Sequence, residues 1–173
     1  LRISGGSTNN VVLDNCTGKY AVGGLFSAQT AKDGLEAKGA GLFASYDCTM
    51  SSNSKDGFNY HFEGAVIPNV LQVRCKGYKN GQIVLTSQSN NGSTVHDGIK
   101  LIDIGGEFLG SVGTNFGHID NDTQVWAVGT LAGNSDGDEI NGGGIDYGAF
   151  GVWVGTATMW LDSCTDKGSN IGV

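Results

Sequence analysis

Along much of the chain apolar and polar residues alternate one by one, and the alternation stops every few residues at Gly, Asn or Asp. In GFNYHFE, residues 57–63, Phe58, Tyr60 and Phe62 fall on one side of an extended strand, and Asn59, His61 and Glu63 on the other. Burying a large apolar side chain is favoured by roughly 1.5–3 kcal/mol, so the aromatic set is expected inside and His61 and Glu63 in water. The same parity turns Leu35 and Ala37 inward and Glu36 and Lys38 outward, and it turns Ile99 and Leu101 inward and Lys100 outward. No stretch carries the 3.6-residue period of an amphipathic helix. The pattern predicts an all-β chain of short strands.

Short motifs return along it. Asp-Gly or Asn-Gly follows a lysine at Lys32-Asp33-Gly34, Lys55-Asp56-Gly57 and Lys79-Asn80-Gly81, at nearly equal spacing, and His96-Asp97-Gly98 comes next after a shorter interval. A strand-like run follows each of them. The four cysteines, Cys16, Cys48, Cys75 and Cys164, stand in LDNCT, SYDCT, QVRCK and LDSCT, each closing an apolar run before a turn. A two-sheet sandwich also has short strands and Gly-rich turns, but gives no reason for a motif to return at one coil length. The recurrence predicts a parallel β-solenoid whose coils stack about 4.8 Å apart. Residues 1–125 are read as its coils and 126–173 as a less regular, Gly-rich continuation of the same domain.

Composition fits that reading. Glycine accounts for 30 of 173 residues, there is one proline, and no G-X-Y period suggests collagen. The net charge of −7 speaks against nucleic acid, whose binding rests on a basic surface. No apolar run reaches the roughly 18 residues of a membrane span, so no membrane insertion is expected. The opening LRISGG and closing GSNIGV read as the ends of a fragment of a longer protein.

If the coils stack in register, Glu36–Asn59 and Lys38–His61 form adjacent columns on an outward sheet face, a surface suited to an extended polymer. Glycoside hydrolysis needs two carboxyl groups about 5–5.5 Å or 6.5–9.5 Å apart. The outward Glu36 and Glu63 are the candidates, with His61 positioning the sugar, or acting as base in a lyase. Lys38, Asn59, Lys100, His118 and Asp120 are candidate glycan contacts, the last two alternating in FGHIDND. Asp33, Asp56 and Asp97 read as corner residues whose side chains bond their own turns, and Asn80 in the equivalent slot agrees. Without a C-x-x-C pair the cysteines read as buried reduced thiols, although stacking makes a Cys48–Cys75 disulfide geometrically possible. The acids of DGDEINGGGID lack the spacing of a calcium loop, and neither a metal nor a cofactor is expected.

With SKDGFNYH, STVHDGIKLIDIGGEF and the LDNC…LDSC column, most of residues 10 to 125 resembles the pectate-lyase-like right-handed parallel β-helix superfamily, and within it the tailspike and appendage proteins of phages. The polygalacturonase signatures and the basic cluster of calcium-dependent pectate lyases are missing. The resemblance implies a viral tail protein, located on the virion or outside the cell after folding in a reducing cytosol. It implies a homotrimer that binds, and in many cases cleaves, host surface polysaccharide as a glycosidase or lyase. A non-catalytic structural or adhesin module is the other function class open to this sequence.

Overall fold

The computed structural model describes residues 1–4, 10–21, 33–38, 41–61, 69–81, 90–119, 121–133, 148–152 and 156–168. Among them no helix forms, and eighteen short strands make three parallel sheets of six strands each. The first sheet holds β1 (Arg2–Ser4), β4 (Leu35–Lys38), β7 (Phe58–His61), β10 (Ser93–Val95), β13 (Phe116–Ile119) and β16 (Phe150–Val152). The second runs from β2 (Asn10–Asp14) through β5 (Leu42–Tyr46), β8 (Asn69–Val73), β11 (Lys100–Ile104) and β14 (Gln124–Val128) to β17 (Thr158–Asp162). The third runs from β3 (Thr17–Lys19) through β6 (Thr49–Ser51), β9 (Lys76–Tyr78), β12 (Glu107–Leu109) and β15 (Leu131–Gly133) to β18 (Thr165–Asp166). Every third strand in sequence returns to the same sheet, which is the parallel β-solenoid expected from the recurring motifs.

Each corner has its own chemistry. Between the second and third sheets the chain always turns in two residues. The first of them, Asn15, Asp47, Arg74, Gly105, Gly129 or Ser163, has φ between 50° and 63°. The second is Cys16, Cys48, Cys75, Gly106, Thr130 or Cys164, so the cysteines do stack in one column, as free thiols. Backbone bonds such as Thr49 N to Cys16 O at 2.8 Å and Arg74 N to Ile104 O at 2.8 Å carry the ladder round the bend. The small side chains suit a corner that leaves little interior room.

The other corners correct the expected period. Asp33-Gly34 stacks on Asp56-Gly57 as expected, but the next members of that column are Asn91-Gly92 and Thr114-Asn115. Asn80 belongs elsewhere: it lies under Asn53 at the exit of the third sheet, with Asn53 Nδ2 donating to Asn80 Oδ1 at 2.9 Å. Asp97 and Gly98 turn the chain from the first sheet to the second. Asn and Asp can hold any of these turns, which is why similar triplets mark different corners. Coil length therefore varies: a short coil separates Leu35 from its partner Phe58, and a much longer one separates Val125 from its partner Met159. The interval is steadier over two coils: β5, β11 and β17 start at Leu42, Lys100 and Thr158, evenly spaced along the chain, while β2, β8 and β14 start at Asn10, Asn69 and Gln124, with the second interval slightly the shorter.

The core fills by parity. Tyr60, Phe58, Phe43, Phe108 and Phe116 are fully buried and in mutual ring contact, for example Phe43–Tyr60 at 5.6 Å and Phe108–Phe116 at 4.8 Å. Phe62 lies outside the described residues. The inward column of the third sheet alternates in size, Gly18, Met50, Gly77, Phe108, Ala132, so that each large side chain occupies the space above or below a small one.

Candidate functional site

The outward face of the first sheet brings together four of the side chains singled out in the sequence. β4 and β7 pair in the anticipated register, Glu36 with Asn59 and Lys38 with His61. β10 continues it, Thr94 pairing with Asn59, and so His96 follows His61. The His61 and His96 rings stack at 4.6 Å and 18°. Glu36 accepts from Lys38 Nζ at 2.9 Å and faces Arg2 Nε at 3.3 Å.

The electrostatics follow from these neighbours. Partial burial on its own favours the neutral form of Glu36, but the Lys38 hydrogen bond and the charges of Lys38 and Arg2 outweigh it and hold the carboxyl below its ordinary range. His61 is pulled down to about 4, first by burial and then by His96, Lys38 and Lys55. At neutral pH it is an uncharged imidazole beside an ionised carboxylate, and both are proton acceptors.

Beside this face runs a ladder of Asx side chains. Asp33 Oδ1 accepts the backbone N–H of Asp56 at 3.2 Å, Asp56 Oδ1 that of Asn91 at 2.8 Å, and Asn91 Oδ1 that of Thr114 at 2.9 Å. Asp33 and Asp56 are thus corner residues, but they bond the next coil. Burial, and then the charge of Asp33, push Asp56 up to about 8. Asp33 is also raised by burial, against the opposing charge of Lys55, whose Nζ lies 3.8 Å away. Asn59 has the outward parity expected of it yet is 1% exposed, its amide donating to Asp33 Oδ2 at 3.3 Å.

The remaining candidates separate. Lys100 is exposed at the start of β11, on the second sheet and away from Glu36. His118 sits on β13 in register with Thr94. Glu63 and Asp120 lie outside the described residues. Sequence reading passed over His96, whose signal was present: Leu-Glu-Ala-Lys, Phe-Asn-Tyr-His and Ser-Thr-Val-His share a polar second position and a basic fourth. Among the described residues no group of three or more His, Cys, Asp or Glu side chains is placed to hold a metal ion.

The outward face of the second sheet is of another kind. Val12, Ala44, Leu71, Ile102, Trp126 and Trp160 line up along it, beside Tyr46, Val73, Ile104 and Val128. Trp126 and Trp160 stack at 4.6 Å and 8°. Ile102, Ile104, Val128 and Trp160 are each 40–44% exposed. Comparison of the chain with protein-family models, with curated proteins and with solved structures found no match in any of the three.

Proposed function

We propose that this protein binds an extended surface polysaccharide along the outward face of its first sheet, as part of a tail-spike or appendage protein of the pectate-lyase-like kind. The observation that carries the reading is the in-register column Lys38–His61–His96 beside Glu36. It sets hydrogen-bonding groups and imidazole rings at the coil spacing on a stiff support, where successive sugars of one chain meet equivalent positions. Within this column the chemistry favours binding over hydrolysis. A glycosidase needs a protonated acid in reach of the leaving oxygen, whereas Glu36 is ionised and the protonated Asp56 is fully buried. His61 as a neutral base fits a lyase step better.

The test is a panel of capsular and lipopolysaccharide fractions, scored for binding and for shortened oligosaccharides. Binding by the intact protein and at least a tenfold loss in the Lys38→Ala/His61→Ala variant, with an unchanged melting temperature, is the expected result. Binding that ignores these substitutions, or no binding to any extended glycan, overturns the reading.

The apolar stripe on the second sheet supports the homotrimer implied by the likeness to tail spikes. A contiguous exposed apolar face of that kind marks an association surface. Sedimentation equilibrium of the protein and of Ile102→Lys tests it: a trimer that dissociates in the variant is expected, and a monomeric parent chain overturns it.

A further inference from the structure

The core holds a carboxyl group that the outer face does not use. On the second sheet the inward column reads Leu13, Ser45, Gln72, Asp103, Ala127, Leu161, so Asp103 points into the solenoid. It is 0% exposed, as is Gln72, its partner on the neighbouring strand. Asp103 Oδ2 is served twice, by the Thr130 hydroxyl and by the backbone N–H of Gly106 at 3.2 Å. Asp103 Oδ1 and Gln72 Oε1 have no hydrogen-bond partner, although they belong to paired, inward-facing side chains. Gln72 spends its amide N–H on Tyr60 Oη at 2.7 Å.

Two unserved acceptors on paired inward side chains are a costly arrangement in a dry interior. The Ser45 hydroxyl, on the strand at the other side of Gln72, is likewise without a partner. A proton on Asp103 removes the conflict, because a neutral carboxyl donates where a carboxylate only accepts. We propose that Asp103 and Gln72 form a proton-operated switch in the core: neutral Asp103 donates from Oδ1 to Gln72 Oε1, and the Oδ1 of ionised Asp103 gains a donor when the Gln72 amide turns over. Turning over presents Nε2 to Asp103 and Oε1 to Tyr60, so the Tyr60 hydroxyl changes from acceptor to donor in that bond. The charge state of one buried acid thereby sets the direction of a hydrogen-bond chain running from Thr130 on one coil to Tyr60 two coils away.

Burial raises Asp103 to about 7, against the opposing hydrogen bonds from Thr130 and Gly106, which places the event near neutrality. The titratable groups facing it are Tyr60 from β7 and the thiol of Cys75 at the bend after β8. Burial pushes the first well up and the second to about 12, so both stay neutral there. No Lys, Arg or His is among the buried described residues.

The sign is that of an acid raised by folding. Below about pH 4 native and unfolded chains both hold the proton. From about 4 to 7 only the native chain holds it, and the unfolding equilibrium constant rises about tenfold per pH unit from this group. Asp103→Asn keeps the shape and always has both a donor and an acceptor to offer. The experiment measures stability against pH for Asp56→Asn, which removes the other buried acid, and for Asp56→Asn/Asp103→Asn. Loss of this tenfold-per-unit slope in the double variant is expected, together with a Gln72 side-chain amide resonance that shifts with a midpoint near 7 in the native protein. Equal slopes in the two variants overturn the proposal. Should the double variant fail to fold, the carboxyl-carbon titration of Asp103 in the native protein decides: a midpoint below 5 overturns it.

Discussion

Asp33 accepts the backbone N–H of Asp56 from one coil below, and Asp56 passes the same bond on to Asn91. The ladder needs an oxygen at each step and does not need a charge, as Asn91 demonstrates by serving Thr114.

Asp56→Asn therefore keeps the ladder and removes a titration. Native Asp56 titrates at about 8 against about 4 in the unfolded chain, so its contribution to stability falls by about 1.4 kcal/mol per pH unit between those limits. The variant is expected to match the parent chain near pH 4 and to exceed it by a few kcal/mol at pH 8. Urea unfolding at a series of pH values measures both curves, and a parent chain that gains stability over that window relative to the variant contradicts the prediction.

Gly77→Val tests the alternating column of the third sheet. A Cβ at Gly77 meets Phe108 Cδ1 at 2.8 Å and the Gly92 carbonyl oxygen at 3.0 Å. A loss of about 1–3 kcal/mol is expected from overpacking. Phe108→Leu in the same chain should return part of it, a coupling that a double-mutant cycle reads directly.

Asn80→Leu removes a fully buried amide that links its own coil to the neighbouring one. It serves Asn53 Nδ2 at 2.9 Å, donates to Met50 O at 3.0 Å and accepts from the Asn53 backbone at 3.3 Å. Leaving these groups unpaired is expected to cost about 1–3 kcal/mol or more, seen as a lowered melting temperature.

Gly129 separates backbone strain from crowding. Its φ is 63°, and nothing lies within 4 Å of where a Cβ would stand. Gly129→Val is expected to cost about 1–2 kcal/mol for the left-handed backbone alone, and Gly129→Asn much less, because Asn15 holds the same corner at φ 50°. Equal melting temperatures for the two variants would remove this account of the corner.

Much of this architecture was legible in the residues. Strict alternation fixed the parity that pairs Glu36 with Asn59 and Lys38 with His61, and the context of Cys16, Cys48, Cys75 and Cys164 marked the one corner of constant length. The repeat departs from its expected period for a physical reason. Hydrogen-bond ladders fix which strands stack but leave the length of chain between them free, so the interval from Leu35 to Phe58 describes only the shorter coil. Parity also gives direction without depth: Asn59 turns outward and is still buried under its bond to Asp33. Asp103 and Gln72 take inward positions that a polar side chain alone would not announce, because their support comes from Thr130, Gly106 and Tyr60, distant in the chain.

The turn of fixed size beside every cysteine-column residue, together with the even spacing of β5, β11 and β17, has a consequence for how such a rod changes size. Removing or duplicating one coil joins a long connection to a short one and brings unlike corner residues into contact. Removing or duplicating two puts Lys100 where Leu42 stood, with the strand directions, the tight bend and the order of the corners unchanged. Growth or trimming by pairs of coils is thus the step this scaffold tolerates best, and the length of the molecule is a quantity that recombination can adjust without redesigning its interior.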